Sequence, residues 1–184
     1  MTKIKTISPE VASEAAKITM DMVSKKLGRV PNMYQVMANS PAVLEAYVKF
    51  NGALSGGTLG YKMAELIALA TAETNACSYC LSAHSFLGAK VGLSEEQMLE
   101  GRRFYSQDEK WNAGLLFAKK MLESPKSVSS ADIEPLRNVG YSDGDILEIV
   151  ANVIRNIFTN YINIISETEV DWPMIIKPLN IQHR

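Results

Sequence analysis

Apolar residues recur along this chain at spacings of three and four, the period of a helix buried on one face. No run alternates with period two. Ser8-Pro9-Glu10 reads as a helix start, with a capping hydroxyl, a proline at the first helical position and an acid in the first turn. Val11, Ala15, Ile18, Met22 and Val23 then form its expected inner stripe, and Gly28 closes it. Val30-Pro31-Asn32 turns the chain into a short helix near Met33 to Met37. Ser40-Pro41 opens the next helix, with Val43, Leu44, Tyr47, Val48 and Leu54 inward, and Ser55-Gly56-Gly57 is a loop.

A helix is predicted from about Tyr61 to Thr74, buried through Met63, Leu66, Ile67 and Ala70. Another follows and ends near Gly88 to Gly92. Ser94 with Gln97 is a capping-box pattern. Trp111 to Leu122 is amphipathic through Leu115, Leu116, Ala118 and Met121, and Pro125 stops it. Ser129 to Asp132 starts a short helix. Ser142 to Asp145 starts a long one, inward through Ile146, Ile149, Val150, Val153, Ile157 and Tyr161. The tail after Val170, with Trp172-Pro173 and Pro178, reads as an extended arm. The expectation is one all-α domain over residues 1–184, with no linker long enough to divide it.

The two strongest helical segments echo one another. Tyr61 to Ala68 resembles Gly144 to Ala151, with Glu65 and Glu148 in register at an offset of 83 (148 − 65). Asn160 and Asn163 then fall where Cys77 and Cys80 do. An ancient duplicated helical pair and a chance match of two amphipathic helices both produce this pattern.

Bulk properties narrow the function classes. The 184 residues are enough for one domain with a real core, and a hydrophobic fraction of 47% argues against overall disorder. A net charge of −1 gives no electrostatic reason to expect nucleic acid or an anionic membrane as partner. No apolar run is long enough to cross a bilayer, and the lysines near Met1 are not followed by one, as a secretory signal would require. A cytoplasmic protein is expected, in which a lone C-x-x-C is catalytic or metal-binding rather than a structural staple.

The chemistry concentrates between Asn75 and His84, which holds both cysteines in a C-x-x-C-x-x-x-H pattern. On a helix, Cys77, Cys80 and His84 at i, i+3 and i+7 share one face. Two thiols one turn apart can close a disulfide, and an imidazole one turn beyond can take a proton from the nearer thiol. With Asn75 as N-cap, Cys77 falls in the first turn and Cys80 just inside, where the helix dipole favours a thiolate. His84 needs an acid to fix its tautomer. Glu65 is the best candidate, because a carboxylate in the apolar run Met63 to Ala70 is costly without a partner. Structural burial of two small apolar cysteines is the plain alternative. A zinc site would have Cys77, Cys80 and His84 as three ligands and need a fourth, from His183 or a carboxylate. His183 otherwise reads as solvated, Arg102-Arg103 and Lys119-Lys120 as exposed faces, and Ser78 and Ser82 as packing residues. Phe50, Phe86, Phe104, Trp111 and the methionines are assigned to core or subunit interface, some of them to an apolar pocket.

A glutamate, eleven residues and then C-x-x-C-x-x-x-H resembles the core of the carboxymuconolactone decarboxylase/alkylhydroperoxidase D superfamily, matched by Glu65, Cys77, Cys80 and His84. Val30-Pro31-Asn32, Ser40-Pro41, the Tyr47 to Leu54 segment and Thr159 through Pro173 resemble the flanks of its peroxidase-related branch, so the likeness runs from about residue 30 to 173. It implies an AhpD-like all-helical fold, a homo-oligomer that is often trimeric or hexameric, and a cofactor-free thiol peroxidase acting on hydroperoxides. In that scheme Cys80 is peroxidatic, Cys77 resolving, His84 and Glu65 relay the proton, and an external dithiol or protein reductant regenerates the pair. The same residues would serve an oligomeric redox sensor. The alkylhydroperoxidase D type has a histidine between its cysteines where this chain has Tyr79, a phenol with a pKa of about 10 that is a poor base at neutral pH. Tyr79 is either site lining or packing.

Overall fold

The computed structural model describes residues 3–179. Its regular elements are helices: α1 Glu14–Leu27, α2 Asn32–Met37, α3 Pro41–Ser55, α4 Tyr61–Thr74, α5 Ser78–Lys90, α6 Glu95–Gly101, α7 Glu109–Glu123, α8 Ser130–Asn138 and α9 Asp143–Ser166. A 3₁₀ turn at Pro125–Ser127 links α7 to α8, and no strand occurs among the described residues.

α4 is the hub. Every residue from Leu66 to Glu73 is buried, as expected of a helix that is apolar on all sides and enclosed by others. It packs against α5, α9, α7 and α6. Two glycines permit the close approach. A Cβ at Gly101 of α6 would run into Leu66, and one at Gly114 of α7 into Met63 and Tyr141. Local signals set the ends of several helices as expected: Ser94 with Gln97 and Ser142 with Asp145 form complete capping boxes, and Ser40 caps α3 with Pro41 at its first position.

The first helix starts later than expected. Ser8 carbonyl accepts from Val11 and Ala12 in an isolated turn, and α1 begins at Glu14 with Ser13 as the capping side chain. Its buried line is Ala12, Ala16, Thr19, Met20 and Val23. The expected stripe is displaced by one position, so Val11, Ala15, Ile18 and Met22 face outward. Both lines have helical spacing; packing of α1 on α3 selects the one whose small residues allow close contact.

The other departures are of the same kind. Leu116 and Tyr161 are exposed rather than inward. α9 buries Ile146, Ile149 and Val153 as expected, then turns a polar face inward: Asn152, Arg155, Asn156, Thr159, Asn160 and Asn163. Its outer face is apolar, through Leu147, Ile154, Phe158, Tyr161 and Ile165. After α9 the chain runs as an arm without regular structure. It is tied down where Ile176 N–H donates to Ser82 Oγ at 2.8 Å and Leu179 N–H to Glu73 Oε1 at 2.6 Å. Arg102, expected on an exposed face, keeps only 10% of its side chain exposed. It pairs with Glu73 at 2.7 Å and donates to the Lys177 carbonyl.

Candidate active site

The join between α4 and α5 builds the site. Asn75 does not cap the cysteine helix: it ends α4, its N–H returning to the Thr71 carbonyl, while its side chain donates to Asn160 Oδ1 on α9 at 2.9 Å. Ala76 then takes a left-handed conformation with φ 54°, one that costs a residue with a Cβ and is found where the chain must reverse sharply. The reversal makes Cys77 itself the N-cap of α5. Cys77 therefore precedes the first turn, and its Sγ accepts the Cys80 N–H at 3.3 Å. A thiol at this position faces the free N–H groups and positive end of the helix, which favour the thiolate.

Cys77 and Cys80 are joined as a disulfide, with Cα atoms 5.3 Å apart. Both are buried, but only Cys80 lines the large cavity, of about 490 Å³. Met33, Tyr34, Tyr47, Leu87 and Trp172 give that cavity its largely apolar wall, and Glu65 and His84 line it with Cys80.

Glu65, in the middle of α4, meets His84, in the second turn of α5, with Oε2 2.8 Å from Nδ1. The carboxylate in the apolar run thus has its partner, and both side chains are mostly shielded, at 16% and 17% exposure. A carboxylate on Nδ1 fixes the tautomer that carries its proton there and leaves Nε2 as the basic nitrogen. Among the described residues no group of three or more His, Cys, Asp or Glu gathers as a metal site. His183 lies outside the described residues.

Tyr79 has two structural commitments. Its hydroxyl donates to Asp171 Oδ1 at 2.9 Å and accepts the Met33 N–H at 3.2 Å. Burial, and then the Asp171 carboxylate, push its pKa well above the ordinary phenol value. Asp171 also accepts the Asn32 N–H and pairs with Arg29, whose guanidinium stacks 4.8 Å from the Trp172 ring centre. Tyr79 lines the cavity as well, so it is at once wall and anchor.

One contact has no counterpart in the motif. Asn163 Nδ2 on α9 donates to Cys80 Sγ at 3.3 Å, and its Oδ1 is buried without a hydrogen-bond partner. The sequence echo pairs this position with Cys80 by register. The echoed segments lie on α4 and α9, which pack together, but α9 runs unbroken past Thr159, where α4 and α5 are separated at Ala76.

Residues 41–120 match the model of the carboxymuconolactone decarboxylase family. Over that segment, somewhat less than half of the chain, the protein is similar to the carboxymuconolactone decarboxylase family. Solved structures share its fold over nearly the whole chain. An alkylhydroperoxidase AhpD core, peroxidase-related protein from Ralstonia eutropha JMP134 is 24% identical, with 92% of each chain covered and a TM-score of 0.82. A peroxidase-related protein from Silicibacter sp. TM1040 is 24% identical over 86% of this chain and 85% of its own, with a TM-score of 0.77. The debrominase Bmp8, solved as a cysteine-to-alanine variant in complex with 2,3,4-tribromopyrrole, is 19% identical over 93% of this chain and 92% of its own, with a TM-score of 0.76. No curated protein matches significantly.

Proposed function

We propose that this chain is a thiol-dependent peroxidase that reduces organic hydroperoxides, serving antioxidant defence in the cytoplasm. The observation that carries the reading is the Cys77–Cys80 disulfide placed so that one sulfur, Cys80, faces a cavity shared with the Glu65–His84 pair. In the reduced protein His84 accepts the Cys80 proton. The thiolate attacks the distal peroxide oxygen; the S–O bond forms, the O–O bond breaks, and the leaving alkoxide takes the proton back from His84. Cys77 then displaces hydroxide from the Cys80 sulfenic acid, giving water and the disulfide. An external dithiol or protein reductant restores both thiols. The apolar cavity wall favours organic hydroperoxides over hydrogen peroxide.

The test is the intact mass of the reduced protein after one equivalent of an organic hydroperoxide. A loss of about two mass units, absent in Cys80→Ser, is expected for disulfide formation. Both thiols remaining free would overturn the reading. A slow single oxidation without turnover by any dithiol would instead support a redox sensor. The debrominase of the same fold was solved with a brominated pyrrole, so release of bromide from 2,3,4-tribromopyrrole is assayed alongside.

A further inference from the structure

Asn163 is 3% exposed, touches the sulfur that faces the cavity, and itself lines that cavity. Its amide is split between two tasks. Nδ2 is spent on Cys80 Sγ, while Oδ1 has no partner among the described residues. A buried acceptor left unpaired is costly and calls for a donor. Asn163 is reached from a different element than the motif: it sits on α9, which packs against both α4 and α5. Its neighbours on the inward face of α9 are held otherwise. Asn156 donates to the Asn152 carbonyl and Asn160 accepts from Asn75. Asn163 alone of these reaches sulfur.

We propose that Asn163 is a catalytic residue, acting on both reactants. Resting on the peroxidase reading, the assignment gives each end of the amide a role. When the disulfide is reduced, Nδ2–H donates to the Cys80 thiolate, a stronger acceptor than a disulfide sulfur, and so lowers its pKa. Oδ1 accepts the O–H of the incoming hydroperoxide. That proton sits on the distal oxygen, so one side chain holds the sulfur and the atom it attacks side by side. The attack leaves the proton where it is: the distal oxygen leaves as S–OH, the sulfur is oxidised by two electrons, and the alkoxide receives its proton from His84. The ligand is thereby specified as one carrying a free O–H on the oxygen attacked, a hydroperoxide or peroxy acid rather than a dialkyl peroxide.

The first arm is tested without turnover. The pH dependence of Cys80 alkylation by iodoacetamide is measured in the reduced Cys77→Ser protein, alone and with Asn163→Ala, Asn163→Asp or Asn156→Ala. Losing a hydrogen bond to a charged group shifts a pKa by about one to two units. Asn163→Ala is therefore expected to raise the Cys80 pKa by that much and to slow alkylation roughly 10- to 100-fold below it. Asn163→Asp, nearly isosteric, raises it further by placing a carboxylate beside the thiolate and remains informative should the alanine variant not fold. Asn156→Ala, which removes a buried amide from the same face, leaves it unchanged. An unshifted pKa in either Asn163 variant, or an equal shift in Asn156→Ala, overturns the assignment.

The second arm uses cumene hydroperoxide and dicumyl peroxide at a pH above the Cys80 pKa of every variant, with both cysteines present. Wild type is expected to react with the first only, and Asn163→Ala to lose rate on it even when fully ionised. Undiminished rate there removes the Oδ1 role. No reaction of wild type with cumene hydroperoxide is a failure of the peroxidase reading itself, and the alkylation profile still decides the sulfur contact.

Discussion

The Tyr79 hydroxyl lies 2.9 Å from Asp171 Oδ1 and joins the cysteine helix to the arm that follows α9. Through the same two residues the site is tied to Met33 and Asn32 at the start of α2 and to Arg29 before it. Tyr79 is thus a structural junction, and in the proposed mechanism the basic group is His84. Tyr79→Phe removes the hydroxyl and leaves the buried Met33 N–H without its acceptor. A loss of about 1–3 kcal/mol in unfolding free energy is expected, with faster proteolysis of the arm. Peroxide consumption per folded molecule should fall much less than in a His84 variant. Denaturant titration and limited proteolysis check this; unchanged stability would remove the junction role.

His84→Gln keeps a polar side chain but no base. Loss of a positioned general base costs roughly 10²–10⁴ in rate, and stopped-flow peroxide consumption reads that range directly. Glu65→Gln, which leaves the imidazole in place without its carboxylate at 2.8 Å, is expected to lie between wild type and His84→Gln. Equal rates in all three would exclude the relay.

Asp145 closes the capping box of α9 and accepts the Thr58 hydroxyl. Hydrogen bonds from Thr58 and Ser142 hold its folded pKa below the ordinary carboxylate value. A depressed folded pKa contributes stability above the unfolded value, about 3.9, and that contribution is lost as pH falls through the folded one. Asp145→Asn is therefore expected to be less stable than wild type at neutral pH, with the gap closing in acid. Thermal melts between pH 7 and pH 2 follow it; a gap independent of pH would assign the effect to the cap geometry alone.

The outward stripe Leu147, Ile154, Phe158, Tyr161 and Ile165 on α9 repeats at spacings of seven, four, three and four, the pattern of a helix face that packs against another. We propose self-association of the chain through this face. Sedimentation is expected to give a multiple of 20.3 kDa, and Ile154→Glu a smaller species with its fold intact. A wild-type monomer would overturn the assembly.

The sequence by itself determined the helices and the chemistry they carry. Period, caps and prolines act within a few residues, so α4, α6, α9 and the breaks at Gly28 and Pro125 were legible from local physics. The pairing of Glu65 with His84 was legible too, because a carboxylate in an apolar helix demands a partner. Only the tertiary structure decided which of two equally periodic faces turned inward. Along α1 it buried Ala16, Thr19 and Met20, where the helix packs on α3, and left Ile18 and Met22 outside. On α9 it buried asparagines and left Ile154 and Phe158 outside: Asn152 and Asn156 donate to carbonyls of their own helix, while Asn160 and Asn163 meet Asn75 and Cys80 across the interface. Arg102 reads as a surface cation until Glu73 is seen beside it. Tyr79 and Asp171 are 92 residues apart and Cys80 and Asn163 are 83 apart. Such contacts depend on how helices cross, which no local periodicity encodes.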